Sequence, residues 1–404
     1  MADVRPVTCA GCGLLCDDVI VEGSGDTVRL APECRLGADW FAARLGRPAS
    51  PSATVDGRPA DVETALTRAA ELLRQARRPL LHGFDGATVE DARAAVALAD
   101  RLGALVATDE VVGPWPGAAA VPLCGGSSAT LGEIRDRSRL VVIWREDPQT
   151  THPRLLQRLG FGGDSSSRLG ADRTLVVVDD RDTATAQAAG LRLGWPPERD
   201  LEALLTLHAL HRGVAPADVD VGAPLGELLE RVTAVPHLAF VHGPGLTAGV
   251  GGQRRALALH ELVRALAHDR HVVTLTLPGA AGTRGADDVL AWQTGYGGAV
   301  DLAGGHPELV TATGPLAADE GVDVALCIEG APAQLPARVA EIALCSLPAE
   351  RDVVVSIRTA AAGVEAAGTA HRLDGVPLAL QAPAGGDVPT AAALLTRLLA
   401  EVER

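Results

Sequence analysis

Short, uninterrupted apolar runs set among helix-sized segments constrain this chain more than any other feature of its sequence. Arg139-Leu-Val-Val-Ile-Trp144 and Thr174-Leu-Val-Val-Val-Asp179 carry no alternation of apolar and polar residues. A strand with one wet face alternates; a run apolar throughout needs cover on both faces, which is the condition of a parallel sheet. Pro79–Gly83, Ala104–Thr108, His237–Val241, His271–Thr276, Val322–Ile328 and Asp352–Ile357 read as further strands. Between them lie segments with helical spacing. Asp61 caps a predicted helix through Ala76, with Leu66, Ala69, Leu72 and Leu73 on one face, and Thr88–Leu102, Leu201–Leu210, Gln253–His268 and a C-terminal segment from about Pro389 to Glu403 follow the same pattern. Strands alternating with such helices imply parallel sheets with right-handed crossovers. The expected architecture is α/β: doubly wound, mostly parallel sheets in two Rossmann-like halves, residues 61–230 and 231–404, preceded by a small Cys-rich β lobe at residues 1–45. The division rests on the likeness of Pro79-Leu-Leu-His-Gly83 to Ala239-Phe-Val-His-Gly-Pro244. Residues 46–60, rich in Pro, Gly and Ser, read as a linker.

Composition removes several functions. The net charge of −15 repels phosphate backbones, so nucleic acid is not an expected partner. No apolar run reaches the ~18 residues of a membrane span. Met1–Arg5 holds no basic flank before an apolar stretch, so no secretory signal and a cytoplasmic location are expected. All 36 basic residues are arginine, which excludes a Schiff-base lysine and a P-loop lysine.

The cysteines carry the sharpest local signal. Four of the seven fall in the first 40 residues, as Cys9-x2-Cys12-x3-Cys16-x17-Cys34, around a predicted β-hairpin from Asp18 to Leu30 with its turn at Gly23–Asp26. Three thiolates close in sequence and a fourth from beyond a hairpin is how [4Fe–4S] clusters are held. A tetrahedral zinc site and four reduced thiols without metal are the other readings. Asp179, at a strand end, reads either as a ligand to the ribose or guanine of a dinucleotide or as a solvated loop residue. Arg284, in Thr283-Arg-Gly285, reads as a phosphate contact or a turn residue. His152 reads as a pocket residue or a helix-entry residue, and His82 and His242 as structural histidines. No Ser-His-Asp pattern and no zinc-hydrolase histidine pair stands out, so no catalytic residue is assigned.

Thr8-Cys-Ala-Gly-Cys-Gly-Leu-Leu-Cys-Asp-Asp18 with Cys34-Arg-Leu-Gly37 resembles the N-terminus of the B subunit of formylmethanofuran dehydrogenase, of the molybdopterin oxidoreductase superfamily. Collinear blocks extend the resemblance over nearly the whole chain: Thr130–Arg137 with Trp144, Pro148 and His152-Pro-Arg154; Leu290-Ala-Trp-Gln-Thr-Gly-Tyr296 with Ala299-Val-Asp301; and Gly368–Pro377. In that family the resemblance implies a [4Fe–4S] cluster and tungsten or molybdenum on two pterin-guanine dinucleotides, interconverting carbon dioxide and formate. There the metal is also held by a cysteine, followed by a histidine, just before a Gly-Pro. Here the segment reads Asp109-Glu-Val-Val-Gly-Pro114, which places Val111 and Val112 at those positions. Valine neither ligates a metal nor moves a proton. The departure is similar to the B subunit of the bacterial formyltransferase/hydrolase complex, which works without redox chemistry. This implies a vestigial subunit with tungsten and molybdenum absent. Its partners would be the amidohydrolase-like A subunit, the formyltransferase D subunit and the C subunit of such a complex. An active oxidoreductase and a cluster-only electron relay are the competing readings. In every case the Cys-rich residues, too poor in apolar side chains for their own core, must lean on something.

Overall fold

The computed structural model describes residues 6–45, 52–108, 120–162, 168–170, 172–214, 222–278, 282–310, 321–330, 335–348 and 352–404. The chain begins with the expected hairpin. Strands β1 (Ile20–Glu22) and β2 (Arg29–Ala31) pair antiparallel, with Gly23 and Gly25 at positive φ in the turn, and helix α1 (Arg35–Ala42) follows. From Ala53 on, the stretch expected as linker is instead an edge hairpin, β3 (Ala53–Val55) and β4 (Arg58–Ala60). Its turn residues Asp56 and Gly57 sit at φ +48° and +71°. Both central residues of a type I′ turn need positive φ, and Asp-Gly is the dipeptide that supplies it. Next come α2 (Val62–Gln75), β5 (Pro79–Gly83), α3 (Val89–Leu102) and β6 (Leu105–Ala107). The Asp61 side chain accepts the Thr64 N–H at 2.7 Å, as its capping role requires. Gly103, in the left-handed region, closes α3.

The middle of the chain builds one all-parallel sheet from β7 (Leu140–Trp144), β8 (Thr174–Val178), β9 (Leu191–Leu193), β10 (His237–His242) and β11 (His271–Thr276), in the order β11-β10-β7-β8-β9. Leu140–Trp144 are all buried, as their unbroken apolar run demands. Helices Asp200–His211 and Gly252–Leu266 cover the sheet through Leu204, Leu207, Leu259 and Leu262.

The chain then adds β12 (Ala299–Asp301), β13 (Glu308–Leu309), β14 (Val324–Ile328), β15 (Ala340–Cys345) and β16 (Val355–Arg358) to the first sheet. Its order is β13-β12-β6-β5-β14-β15-β16-β3-β4. The five strands from β6 to β16 run parallel and the outer ones antiparallel. A final hairpin, β17 (Gly368–His371) and β18 (Pro377–Leu380), precedes the C-terminal helix Ala391–Val402. The fold is therefore mixed α/β with parallel sheets. Among the described residues no helix is long and apolar enough to cross a membrane.

The expected division into residues 61–230 and 231–404 is not the one the chain adopts. One unit holds residues 1–114 and 280–404; the other holds 115–279. β10 and β11 belong with β7–β9 because β10 pairs in parallel with β7, Leu238 opposite Leu140. The segment at residues 1–45 is not a separate body but part of the first unit. Among the parallel strands of each sheet the direction of addition reverses once, between β5 and β14 in the first unit and between β7 and β10 in the second. Such reversals open the crevices where doubly wound sheets take ligands.

Asp91 ties the helical layer of the first unit. Its Oδ2 accepts the Thr88 N–H (2.9 Å) and hydroxyl (2.7 Å), closing a capping box at the start of α3. Its Oδ1 accepts the Ala392 N–H at 2.7 Å in the first turn of the C-terminal helix. Asp91→Ala would leave these donors unpartnered in a buried place, at about 2–4 kcal/mol. A urea unfolding midpoint should fall accordingly, and Asp91→Asn should fall less.

Candidate functional site

Glycine brings the four cysteines together. Cys9 N–H donates to Cys16 O (2.9 Å) and Leu15 N–H to Cys12 O (3.2 Å), folding the first three cysteines into one tight loop. Cys34 is the N-cap residue of α1. A Cβ on Gly37, in the first turn of that helix, would stand 2.6 Å from Leu30 Cδ1 and 3.1 Å from Cys9 Sγ. A Cβ on Gly11 would stand 3.2 Å from Gly37 Cα and 3.1 Å from Trp40 Cβ. Loop and helix thus meet backbone to backbone, which no larger residue permits at this distance. The Gly11 N–H points at Cys9 Sγ at 3.4 Å.

Burial pushes the Cys9 thiol up to about 12. The Gly11 amide opposes this, while the nearby sulfurs of Cys12, Cys16 and Cys34 reinforce it. Cys12, Cys16 and Cys34 thus lie within electrostatic reach of Cys9. Among the described residues no three His, Cys, Asp or Glu form a single-ion site. A cubane spreads its thiolates over several iron atoms, and an N–H aimed at a ligand sulfur is one of the contacts that tune such clusters. Thiols are the donor type that such a cluster takes.

This loop leans on the C-terminal hairpin. Thr8 N–H donates to Gln381 Oε1 (2.8 Å), the Thr8 hydroxyl to Ala379 O (2.9 Å), and Leu373 N–H to Gly13 O (2.8 Å). Ala10 and Leu15 bury with Ala370 and Leu380, and Trp40 packs against them. On the hairpin, His371 Nδ1 lies 2.7 Å from Asp288 Oδ2, which also accepts Arg284 Nε–H at 3.1 Å. Arg372 pairs with Asp374 through two hydrogen bonds, at 2.7 and 2.8 Å. Helix Thr283–Thr294 reaches the hairpin through Gly285, whose missing Cβ would stand 3.6 Å from His371 N. Three blocks far apart in sequence meet here.

The other candidates lie in the second unit. Asp179 is fully buried after β8 and accepts Arg181 Nη2–H (2.7 Å) and Nε–H (3.0 Å). Burial raises its carboxyl, but the hydrogen bonds and charge of Arg181, with the charge of Arg145, outweigh this and hold it below the usual range. Its charge is thereby neutralised within the protein. Arg145 grips Asp200 at 2.9 Å, and the Trp144 and Trp195 N–H groups donate to the same carboxylate. His152 is buried, beside the Thr151 hydroxyl at 3.0 Å, and burial pushes it down to about 4, leaving it neutral. Arg284 belongs to the first unit and Asp179 and His152 to the second. Val111 and Val112 lie outside the described residues. His242, fully buried, faces Thr276 Oγ1 at 3.3 Å, and Cys327 is enclosed within β14.

Sequence reading passes over Glu146. Buried two residues past β7, it accepts the Gly245 N–H at 2.6 Å. Its signal is there to read: an acidic residue just past a central strand, opposite a Gly-Pro-Gly turn.

No family model matches the chain. It is similar to the B subunit of the tungsten-containing formylmethanofuran dehydrogenase 2 of Methanocaldococcus jannaschii, 32% identical over 405 residues, covering 94% of this chain and 93% of the relative. The protein of that name from Methanococcus maripaludis is 30% identical over 404 residues, covering 93% of each. The B subunit of the formyltransferase/hydrolase complex Fhc of Methylorubrum extorquens is 28% identical over 299 residues, 70% of this chain and 76% of the relative. Among solved structures, the crystal structure of the FhcABCD complex from Methylorubrum extorquens with methylofuran matches at TM-score 0.72 and 25% identity. The match covers 87% of this chain and 98% of that one.

A thiol held near 12 exposes about one part in ten thousand of thiolate at pH 8. In the metal-free chain, iodoacetamide should therefore modify Cys9 at least ~100-fold more slowly than an unstructured cysteine peptide, as read by peptide mass spectrometry. Equal rates would mean that the loop does not enclose Cys9.

Proposed function

Because the chain belongs to the family of formylmethanofuran dehydrogenase B subunits, we propose that it is a non-redox B subunit of a formyltransferase/hydrolase-type complex. On this reading it works in cytoplasmic, tetrahydromethanopterin-linked conversion of formaldehyde to formate. It scaffolds the amidohydrolase-like A subunit, beside the D and C subunits, and turns nothing over itself. One observation carries this reading. Val111-Val112 stands where the family resemblance puts the metal-binding cysteine and its histidine. A tungsten or molybdenum bis-pterin group does not fit that pair, which offers neither a ligand nor a proton donor. The polar candidates agree with this: Asp179 is neutralised by Arg181, and Arg284 by Asp288.

The cysteine quartet does fit its group. Cys9, Cys12, Cys16 and Cys34 would hold a [4Fe–4S] cluster, which when bound supplies one-electron transfer. The chain's own contribution is placement: Gly37 lets α1 close on Cys9, and Gly11 directs an N–H to its sulfur. Because Cys9 is protonated in the metal-free protein, loading the quartet releases protons and is favoured by rising pH.

A second reading has support of its own. Two relatives at 30% identity or above are named as tungsten-containing. This favours an active oxidoreductase that interconverts carbon dioxide and formate. The two readings part at Val112. In the assembled complex, Val112→Ala should leave formyl hydrolysis within about twofold of the unaltered complex, since valine there does no acid–base work. Loss of activity with the subunits still assembled would show that this segment takes part in chemistry and would overturn the scaffold reading.

A further inference from the structure

Two buried side chains of the second unit, Arg145 and Glu146, have no part in these roles. Both follow β7, where the direction of strand addition reverses between β7 and β10. In a doubly wound sheet that is where the crevice for a dinucleotide opens. The turn after β10 has the glycines such a crevice needs. A Cβ on Gly245 would overlap Arg145 O, and a Cβ on Gly243 would fall 2.8 Å from Leu277 O, just past β11. Glycines in this position let backbone N–H groups approach a ligand's phosphates. Here the Gly245 N–H goes to Glu146 Oε1 at 2.6 Å. The same oxygen stands 2.8 Å from where a Gly243 Cβ would be. The carboxyl therefore lies in the turn itself.

Arg145 takes up the other side. It stands at φ +59°, a conformation that favours glycine. A larger residue held there against that preference points to a use for its side chain. The side chain reaches residues that follow β8 and β9. Its Nη1–H donates to Asp180 Oδ1 at 2.6 Å, its Nη2–H to Trp195 O, and its Nε–H to Asp200 Oδ2 at 2.9 Å, at the start of the helix Asp200–His211. Arg181 closes the space between. Its guanidinium holds Asp179 and donates to Arg145 O at 3.2 Å.

We infer that this crevice is sealed from within. Glu146 occupies the phosphate seat of the Gly243–Gly245 turn, Arg145 and Arg181 occupy the ground beyond it, and the second unit takes no dinucleotide. The inference rests on the reading of the chain as a non-redox subunit, and it says how the crevice is closed: by filling, with the glycine turn intact. The seat is therefore latent, and removing the one side chain that lies in it opens it.

The probe is guanosine diphosphate, which carries the base, ribose and diphosphate of the dinucleotide that the family resemblance implies. It is titrated calorimetrically into the full chain. The unaltered protein should show no saturable binding up to ~1 mM. Glu146→Ala leaves the Gly245 N–H without its acceptor. This variant should bind the nucleotide at least ~10-fold more tightly than the unaltered chain. The bound nucleotide should also slow amide hydrogen exchange in peptides covering residues 243–248. Submillimolar binding to the unaltered chain, with those peptides protected, overturns the seal without recourse to any variant. A folded Glu146→Ala that binds no better than the unaltered chain overturns it too. Nucleotide binding by an unaltered chain whose complex holds no tungsten or molybdenum strikes the seal and leaves the subunit reading standing. Tungsten or molybdenum on this chain strikes both.

Discussion

The contact of Gly11 with Gly37 is the constraint on which the cysteine site depends. Cys9, Cys12 and Cys16 belong to a loop that closes on itself, but Cys34 arrives on a helix of its own. The two join only because neither backbone carries a side chain at the crossing. Their shared surface is too small to be a core. Three hydrogen bonds and the packing of Ala10 and Leu15 on Ala370 and Leu380 fasten it to a hairpin more than 350 positions further along the chain. The site is thus finished by contacts from the far end of the chain.

Carboxyls whose protons are held by loss of solvation are the second recurring theme. Asp85 follows β5 and Glu146 follows β7, each just after a residue at positive φ: Phe84 at +71° and Arg145 at +59°. Burial pushes Asp85 up to about 6, against the nearby charge of Arg44, and Glu146 up to about 7. Glu329, after β14, is also raised to about 7, chiefly by burial and also by the charge of Asp91. Asp287 is raised to about 6 by burial, although the Thr108 hydroxyl and the Gly298 N–H donate to it. All four hold protons that the unfolded chain would release. The contribution of these four groups is complete on the acid side and is lost as pH rises through 6 to 7.

Much of the secondary structure is legible in the sequence, because each strand buried on both faces has to be apolar throughout. β5, β7, β8, β10 and β11 lie within a residue of their expected places. The assignment of strands to sheets is not legible. β10 is as apolar as β5 or β14, and nothing local records that it pairs with β7. The edge hairpin β3–β4 escapes a sequence reading because Asp56-Gly57 has the composition of a linker as well as that of a type I′ turn. The blocks behind the family resemblance prove spatial as well as sequential, since the cysteine loop, helix Thr283–Thr294 and hairpin β17–β18 form one assembly. Arg284 and Asp179 look alike as ligand-binding residues. Their neutralisation by Asp288 and Arg181 depends on side-chain geometry that a strand-end position does not reveal.

Metal analysis of the complex, purified without oxygen, tests the central claim most directly. The account predicts less than about a tenth of an equivalent of tungsten or molybdenum per chain, because Val111 supplies no ligand. Stoichiometric tungsten or molybdenum bound to this chain would contradict it.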